Sequence, residues 1–362
     1  MNELQIALLG AGVAAVAAVW IYNLWQERTH KKLAEKIFKG GQPDVLLKGQ
    51  GGEPDDGERI EPAAAPVGER IEPVADPLAD ESPQGPPQPP AEWADDVADC
   101  TLRIEFVEAV SAPALWAVQE AWAPQLTKVL TWLGYDDGQW RQLTAHDAGR
   151  YAHVAASLQL ADRQGAVSDN ELSVFLDGAH RLAQQFSGLV ELPQRHEVLA
   201  HAQALDGFCA GVDVQLGVNI VEAAGGVFAG TKLRGLAEAA GLALQEDGRF
   251  HAGDDNGMEL FTVGNMGTEL FEADALKTLA THGVTFVLDV PRVADGCAAF
   301  DRMVAVARQM AQALGGTLVD GQRHVVSDPM IAGIRAKIGE IQQQMAAHQI
   351  SPGSARALRL FS

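Results

Sequence analysis

At 362 residues, 47% of them hydrophobic, the chain is long enough for two domains of ordinary size. Its formal net charge of −21 would repel a polyanion, which sets nucleic-acid binding aside. Cys100, Cys209 and Cys297 form no CxxC pair, which excludes a zinc ribbon or disulfide framework and fits a reduced compartment.

The chain opens with LQIALLGAGVAAVAAVWIYNLW, Leu4 to Trp25, which carries no charged residue. As a helix it would span roughly 33 Å, enough for a bilayer core. Trp20, Tyr22 and Trp25 sit at its end, where aromatic rings favour the headgroup level. Arg28, Lys31 and Lys32 follow directly, whereas only Glu3 precedes it, so the positive-inside rule sets the N-terminus outside and the rest in the cytoplasm. A cleaved signal peptide would need basic residues before the run and a small-residue cleavage site after it; neither is present. GAGVAA at 10–15 imitates a dinucleotide-binding pattern, but the apolar run continues where that helix would turn amphipathic.

Residues 1–25 are therefore read as an anchor and 26–50 as a basic juxtamembrane segment with net charge +3. Residues 51–99 form an acidic linker; through position 100 the stretch holds ten prolines, fourteen acids and a tandem GERIEP. Such a segment buries too little apolar surface to offset its chain entropy, and is expected to be disordered with a reach on the order of 40–45 Å.

Beyond the linker the triplet Gln-Arg-His occurs twice, at 194–196 and 322–324. Laying residues 172–198 over 300–326 matches two amphipathic stripes: Leu172, Phe175, Leu176, Ala179, Leu182, Ala183 and Phe186 fall on Phe300, Met303, Val304, Ala307, Met310, Ala311 and Leu314. Gly188 falls on Gly316, read as a helix stop. Upstream, IEFVEAV (104–110) parallels VNIVEAA (218–224), and DDGQW (136–140) parallels EDGRF (246–250). The pattern predicts a duplicated α+β unit, with copies at 100–205 and 206–348 and a tail at 349–362. No nucleophile or carboxylate recurs with QRH, so the triplet reads as structural, QRHVV forming a returning strand after an Asp320-Gly321 turn.

The second copy resembles the C-terminal domain of the ZipA family of bacterial cell-division proteins. The resemblance rests on VNIVEA, ELFTVGNM (259–266), GVTFVLDVP (283–291), LGGTLVDGQRHVV (314–326) and a helix after SDP with Asp328 as N-cap. The layout of anchor, linker and head agrees with it. It implies an α+β fold: an N-terminal transmembrane helix, a linker, and a split β-α-β domain preceded here by a degenerate copy. It also implies a non-catalytic tether at the division septum, holding the tubulin-like GTPase FtsZ to the inner membrane with its N-terminus periplasmic. The partners implied are the FtsZ C-terminal tail and membrane lipid, with no cofactor, metal, nucleic acid or small-molecule substrate. The alternative is a membrane-anchored scaffold of the same fold with a different division or envelope-synthesis partner.

Strand alternation assigns the faces. Leu216, Val218, Ile220, Phe261, Val263, Val284, Phe286 and Leu288 should face the helices. Gln215, Gly217, Asn219, Leu260, Thr262, Gly264, Met266, Thr285, Val287 and Asp289 should look out, with Asp247 and Arg249 on the same side. The tail site implied by the resemblance comprises Met266, Val287, Thr285, Thr262, Gly264, Leu260, Gln215, Asn219 and Arg249. The face is more polar than the family's pattern, with Val287 where a large aromatic is usual. For the first copy, rich in tryptophan, two roles stay open: a structural partner packed on the second copy, or an additional binding site.

Overall fold

The computed structural model describes residues 86–362 apart from Ala223. The anchor expected at Leu4–Trp25 and most of the linker lie outside the described residues. Among those described, no helix is long and apolar enough to cross a membrane.

In the first half, β1 (Asp99–Ser111) leads into α1 (Ala112–Gln119), followed by β2 (Leu130–Asp136), β3 (Gln139–Gln142) and β4 (Arg150–Gln159). A small hairpin, β5 (Ala161–Asp162) and β6 (Gly165–Ala166), precedes α2 (Asp169–Gln185), β7 (Gly188–Val190) and α3 (Arg195–Val212). The antiparallel sheet runs β3-β2-β4-β1-β7. Cys100, Leu102, Ile104 and Phe106 alternate into the core, where α2 lays its stripe of Leu172, Phe175, Ala179 and Leu182.

Helix α2 starts where it does because Ser168 and Glu171 form a reciprocal capping box. The Glu171 carboxylate also accepts from the Thr127 backbone N–H (2.8 Å) and hydroxyl (2.7 Å), pinning the preceding loop. Burial pushes its pKa up, but the hydrogen bonds from Ser168 and Thr127 outweigh that and hold it at about 2. Trp122 and Trp132 meet edge to face at 6.4 Å in this core. The Trp122 ring fits against α2 because residue 178 is glycine: a Cβ there would lie 2.5 Å from the indole.

The second half contains β8 (Gln215–Glu222), β9 (Phe228–Ala229), α4 (Gly230–Ala239), β10 (Ala243–Leu244), β11 (Phe250–Gly253) and β12 (Glu259–Asn265). β13 (Ala280–Thr281), β14 (Gly283–Asp289), α5 (Gly296–Leu314), β15 (Gly316–Val319), α6 (Asp328–Ala347) and α7 (Ala355–Leu360) complete it. Its main sheet runs β10-β11-β12-β14-β8-β15, and α5 packs across β8, β12, β14 and β15.

The halves share a frame: a central strand (β1, β8) between β7 or β15 and β4 or β14, with α2 or α5 laid across. They differ in the hairpin beyond. Beside β14 lies β12, the later strand of its pair; beside β4 lies β2, the earlier one. The DDGQW and EDGRF turns therefore sit at different places in the two sheets.

Several sequence expectations are corrected. The 205/206 boundary falls inside the continuous helix α3, whose Ala202, Leu205, Cys209 and Val212 are buried. The end of the expected linker is folded onto the rest: Ala94, Asp95 and Ala98 are buried. The tail is folded, with Ala357, Leu360 and Phe361 in the core. The helix stops are Ser187 and Gly315, both at positive φ; Gly188 and Gly316 instead begin strands where a Cβ would strike Phe106 or Ile220. QRHVV is no strand. Gln322 and Arg323 lie in a turn organised by the Asp320 carboxylate and backbone, and only Val325 bridges back to Val319. The first QRH opens a helix, with Gln194 as N-cap and Arg195 paired to Asp169. The N-cap of α6 is Ser327, one residue before Asp328.

The halves are tied by polar contacts as well as packing. Arg163, in the β5–β6 turn, binds Asp213 through both nitrogens of its fork and Asp289 at 2.8 Å. Phe208 on α3 stacks on His348 just past α6, ring centres 3.9 Å apart. Helix α7 reaches back to the first half: Arg359 pairs with Asp99, and Arg356 with Asp95 at 2.6 Å.

Candidate peptide-binding face

The side of the second sheet away from α5 is assembled in cross-strand rows fixed by antiparallel register. One row is Gly217, Val287, Thr262 and His251; the next is Asn219, Thr285 and Gly264; a third pairs Val221 with Gly283. Gln215 stands opposite Asp289 at the end nearer the first half.

Apolar and open positions make the floor. Gly217 has open space above it. Leu260 and Val287 are half-buried. Met266 donates its backbone N–H to the Gly283 carbonyl, and its sulfur lies over Gly283 beside Val221, where a Cβ on residue 283 would meet it at 3.1 Å. The thioether is 37% exposed, a flexible apolar tip at the end of the face. Arg249 folds its stem over Gly264, about 3.7 Å from where a Cβ would be.

Polar side chains are largely tied to one another. The Thr285 hydroxyl donates to Asn219 Oδ1 at 2.7 Å, and Asn219 Nδ2 donates to the Asp320 carbonyl at 3.3 Å. Gln215 donates to Asp289, which also receives Arg163. His251 lies between Asp247, at 3.0 Å, and Glu259.

The inward set follows alternation, and eight of the nine expected site residues are at least partly exposed; Leu260, at the register shift between β11 and β12, also packs against the core. Thr262 is the ninth: it points outward, yet it is 7% exposed because Val287 and His251 flank its short side chain on the neighbouring strands. His251 and Val221 belong to the face and were absent from the expected site. The register makes both legible, His251 as the cross-strand neighbour of Thr262 and Val221 as that of Gly283.

The second half is thus an α+β domain with a helix across one sheet face and the other face open. Residues 215–337, from the first residue of β8 into α6, match the family model described as ZipA, C-terminal FtsZ-binding domain. Over that stretch the chain is similar to the ZipA family. It is 30% identical over 142 residues to the cell division protein ZipA of Azotobacter vinelandii, covering 38% of this chain and 50% of that protein. To the ZipA of Ectopseudomonas mendocina it is 33% identical over 144 residues, 39% of this chain and 53% of that protein. To the ZipA of Pseudomonas putida strain F1 it is 26% identical over 218 residues, covering 56% and 68% respectively. The chain thus spans about half the length of the first two relatives.

Proposed function

We propose that this chain is a non-catalytic bacterial cell-division protein that tethers FtsZ to the cytoplasmic face of the inner membrane. The observation that carries the reading is the coincidence of the family match with the half whose outer sheet face is open. The FtsZ C-terminal tail would lie across the rows of β8, β14 and β12. Leu260, Val287 and Met266 would supply apolar contact, Gly217 and Gly264 close backbone approach, and Arg249 a charged rim. Gln215, Asn219, Thr285 and Thr262 would shape the floor. Residues 4–25 would cross the membrane once with the N-terminus periplasmic, and the linker would space the head from the lipid.

The first half is proposed to descend from the same unit as the second, which the shared central strand, crossing helix and following edge strand support. The polar pairing on the open face also favours a second reading, a scaffold of this fold for another division or envelope partner.

The test is fluorescence anisotropy of a labelled FtsZ tail peptide from the same organism, titrated with the full chain in detergent micelles. Saturable binding, competed by unlabelled peptide, is the expected result. Absence of saturation would remove FtsZ as partner and leave the second reading.

A further inference from the structure

The outer face of the first sheet is already occupied. Its rows bring Arg103, Ala155 and Leu133 together, and beside them Glu105, His153 and Tyr135. Trp140 packs on Tyr135 with ring centres 5.3 Å apart, and with Leu133, Ala155 and Ala94 it forms a small apolar cluster separate from the main core. Residues 86–94 run over this surface. The Pro87 carbonyl accepts the indole N–H of Trp140 at 2.8 Å and the guanidinium of Arg103, also at 2.8 Å.

That geometry has a chemical meaning. A proline has no N–H to offer, so a proline-rich strand is held through its carbonyls and ring faces, by aromatic walls carrying donors. Trp140 and Arg103 provide two such donors to one proline carbonyl. Beyond Pro86 the surface continues as a groove of about 410 Å³, walled by Arg103, Glu105, Trp140, His153, Leu189 and Glu191. Leu189 stands 75% exposed in it, an apolar side chain available to a ligand.

We infer that the outer face of the first sheet is a docking surface for proline-rich extended segments, held in cis by this chain's own Pro86–Pro90. The occupant follows from the contacts themselves and from the run PPQPP at 86–90. Attachment in cis gives the segment an effective concentration on the order of millimolar, which keeps other proline-rich peptides out. The first half thus binds a linear peptide irrespective of what the second half binds, and its ligand is the end of the linker.

The experiment uses the full chain in detergent micelles and a fluorescein-labelled peptide, SPQGPPQPPA, copied from residues 82–91. Unaltered protein is expected not to bind it. The variant lacking residues 82–90 removes the Pro87 carbonyl, vacates the face and is expected to bind saturably. Adding Trp140→Phe, which keeps a ring but removes the N–H, should weaken that binding at least tenfold. No saturable binding to the deletion variant, or equal affinity with Trp140→Phe, overturns the inference. A second measurement avoids the variants: in unaltered protein the Trp140 indole proton should exchange with solvent at least tenfold more slowly than a free indole. Exchange at the free rate overturns it equally.

Discussion

Met266→Lys puts an ammonium where a thioether now lies over the Gly283 backbone. Met266 is 37% exposed. A peptide laid across it would remove roughly 70 Å² of its surface from water, worth about 1.5–2 kcal/mol at ~25 cal/mol per Å². A lysine stem can follow the same path over Gly283, so the fold should tolerate the change, but the charged end would have to be desolvated beneath the peptide. Losing the apolar burial alone corresponds to roughly a 10- to 30-fold fall in affinity. The assay is the FtsZ tail titration on the full chain, with Val107→Lys, at a position 82% exposed on the first half, as the control. Equal affinity of Met266→Lys and unaltered protein would refute the placement of the groove. So would an equal loss in Val107→Lys.

Three further outcomes concern the framework. Glu171→Gln should destabilise the head by roughly 1–2 kcal/mol at neutral pH, less than the full pKa shift would give because solvent reaches part of the carboxylate. Since the Glu171 pKa falls on folding from 4.5 to about 2, its contribution is present above pH 4.5 and lost as pH falls toward 2; denaturant titrations of the variant should lack that part of the acid dependence. Arg359→Ala strands Asp99, whose side chain is 0% exposed, and should cost about 2–4 kcal/mol as an uncompensated buried carboxylate; an unchanged denaturation midpoint would show the pair to be idle. In maleimide labelling, half-exposed Cys297 should react well before Cys100 and Cys209. Burial and the nearby Asp99 charge push the Cys100 thiol up to about 12, and burial with Asp206 and Asp213 pushes Cys209 up to about 11; mass spectrometry of the labelled peptides gives the order.

Local patterns in the sequence are enough to place α2, α5 and α6 and the faces of the second sheet, but not α3. The stripes of α2 and α5 have the helical period, and alternation in β8, β12 and β14 separates core from open face residue by residue. What escapes is non-local. Nothing in DDGQW or EDGRF tells which strand of a hairpin will lie against the sheet centre, because both turns have the same Asp-Gly chemistry. The QRH triplets are identical in sequence and unlike in structure: one is followed by a helix-forming run, the other is bound into the loop of Asp320. The burial of Thr262 depends on the bulk of Val287 and His251, neighbours that only strand register supplies. The segment before Asp99 is acidic and proline-bearing, so composition reads it as disordered linker, and residues 349–362 carry too short a pattern to be read as more than a tail. Two pairs of charged residues meet across the ends of the folded region, Asp95 with Arg356 and Asp99 with Arg359.

That meeting of ends sets how the head would carry a load. The chain enters the head past Pro90 and reaches Asp95 and Asp99 within nine residues, and those two carboxylates are gripped by Arg356 and Arg359. A pull along the linker therefore passes directly into α7 and from there to Arg292, which donates to the Leu358 and Phe361 carbonyls at the foot of β14. The load is shared among several ion pairs and hydrogen bonds at once. The N-terminal entry to the folded region is thus clasped by its C-terminal helix, so loosening either end would loosen the other.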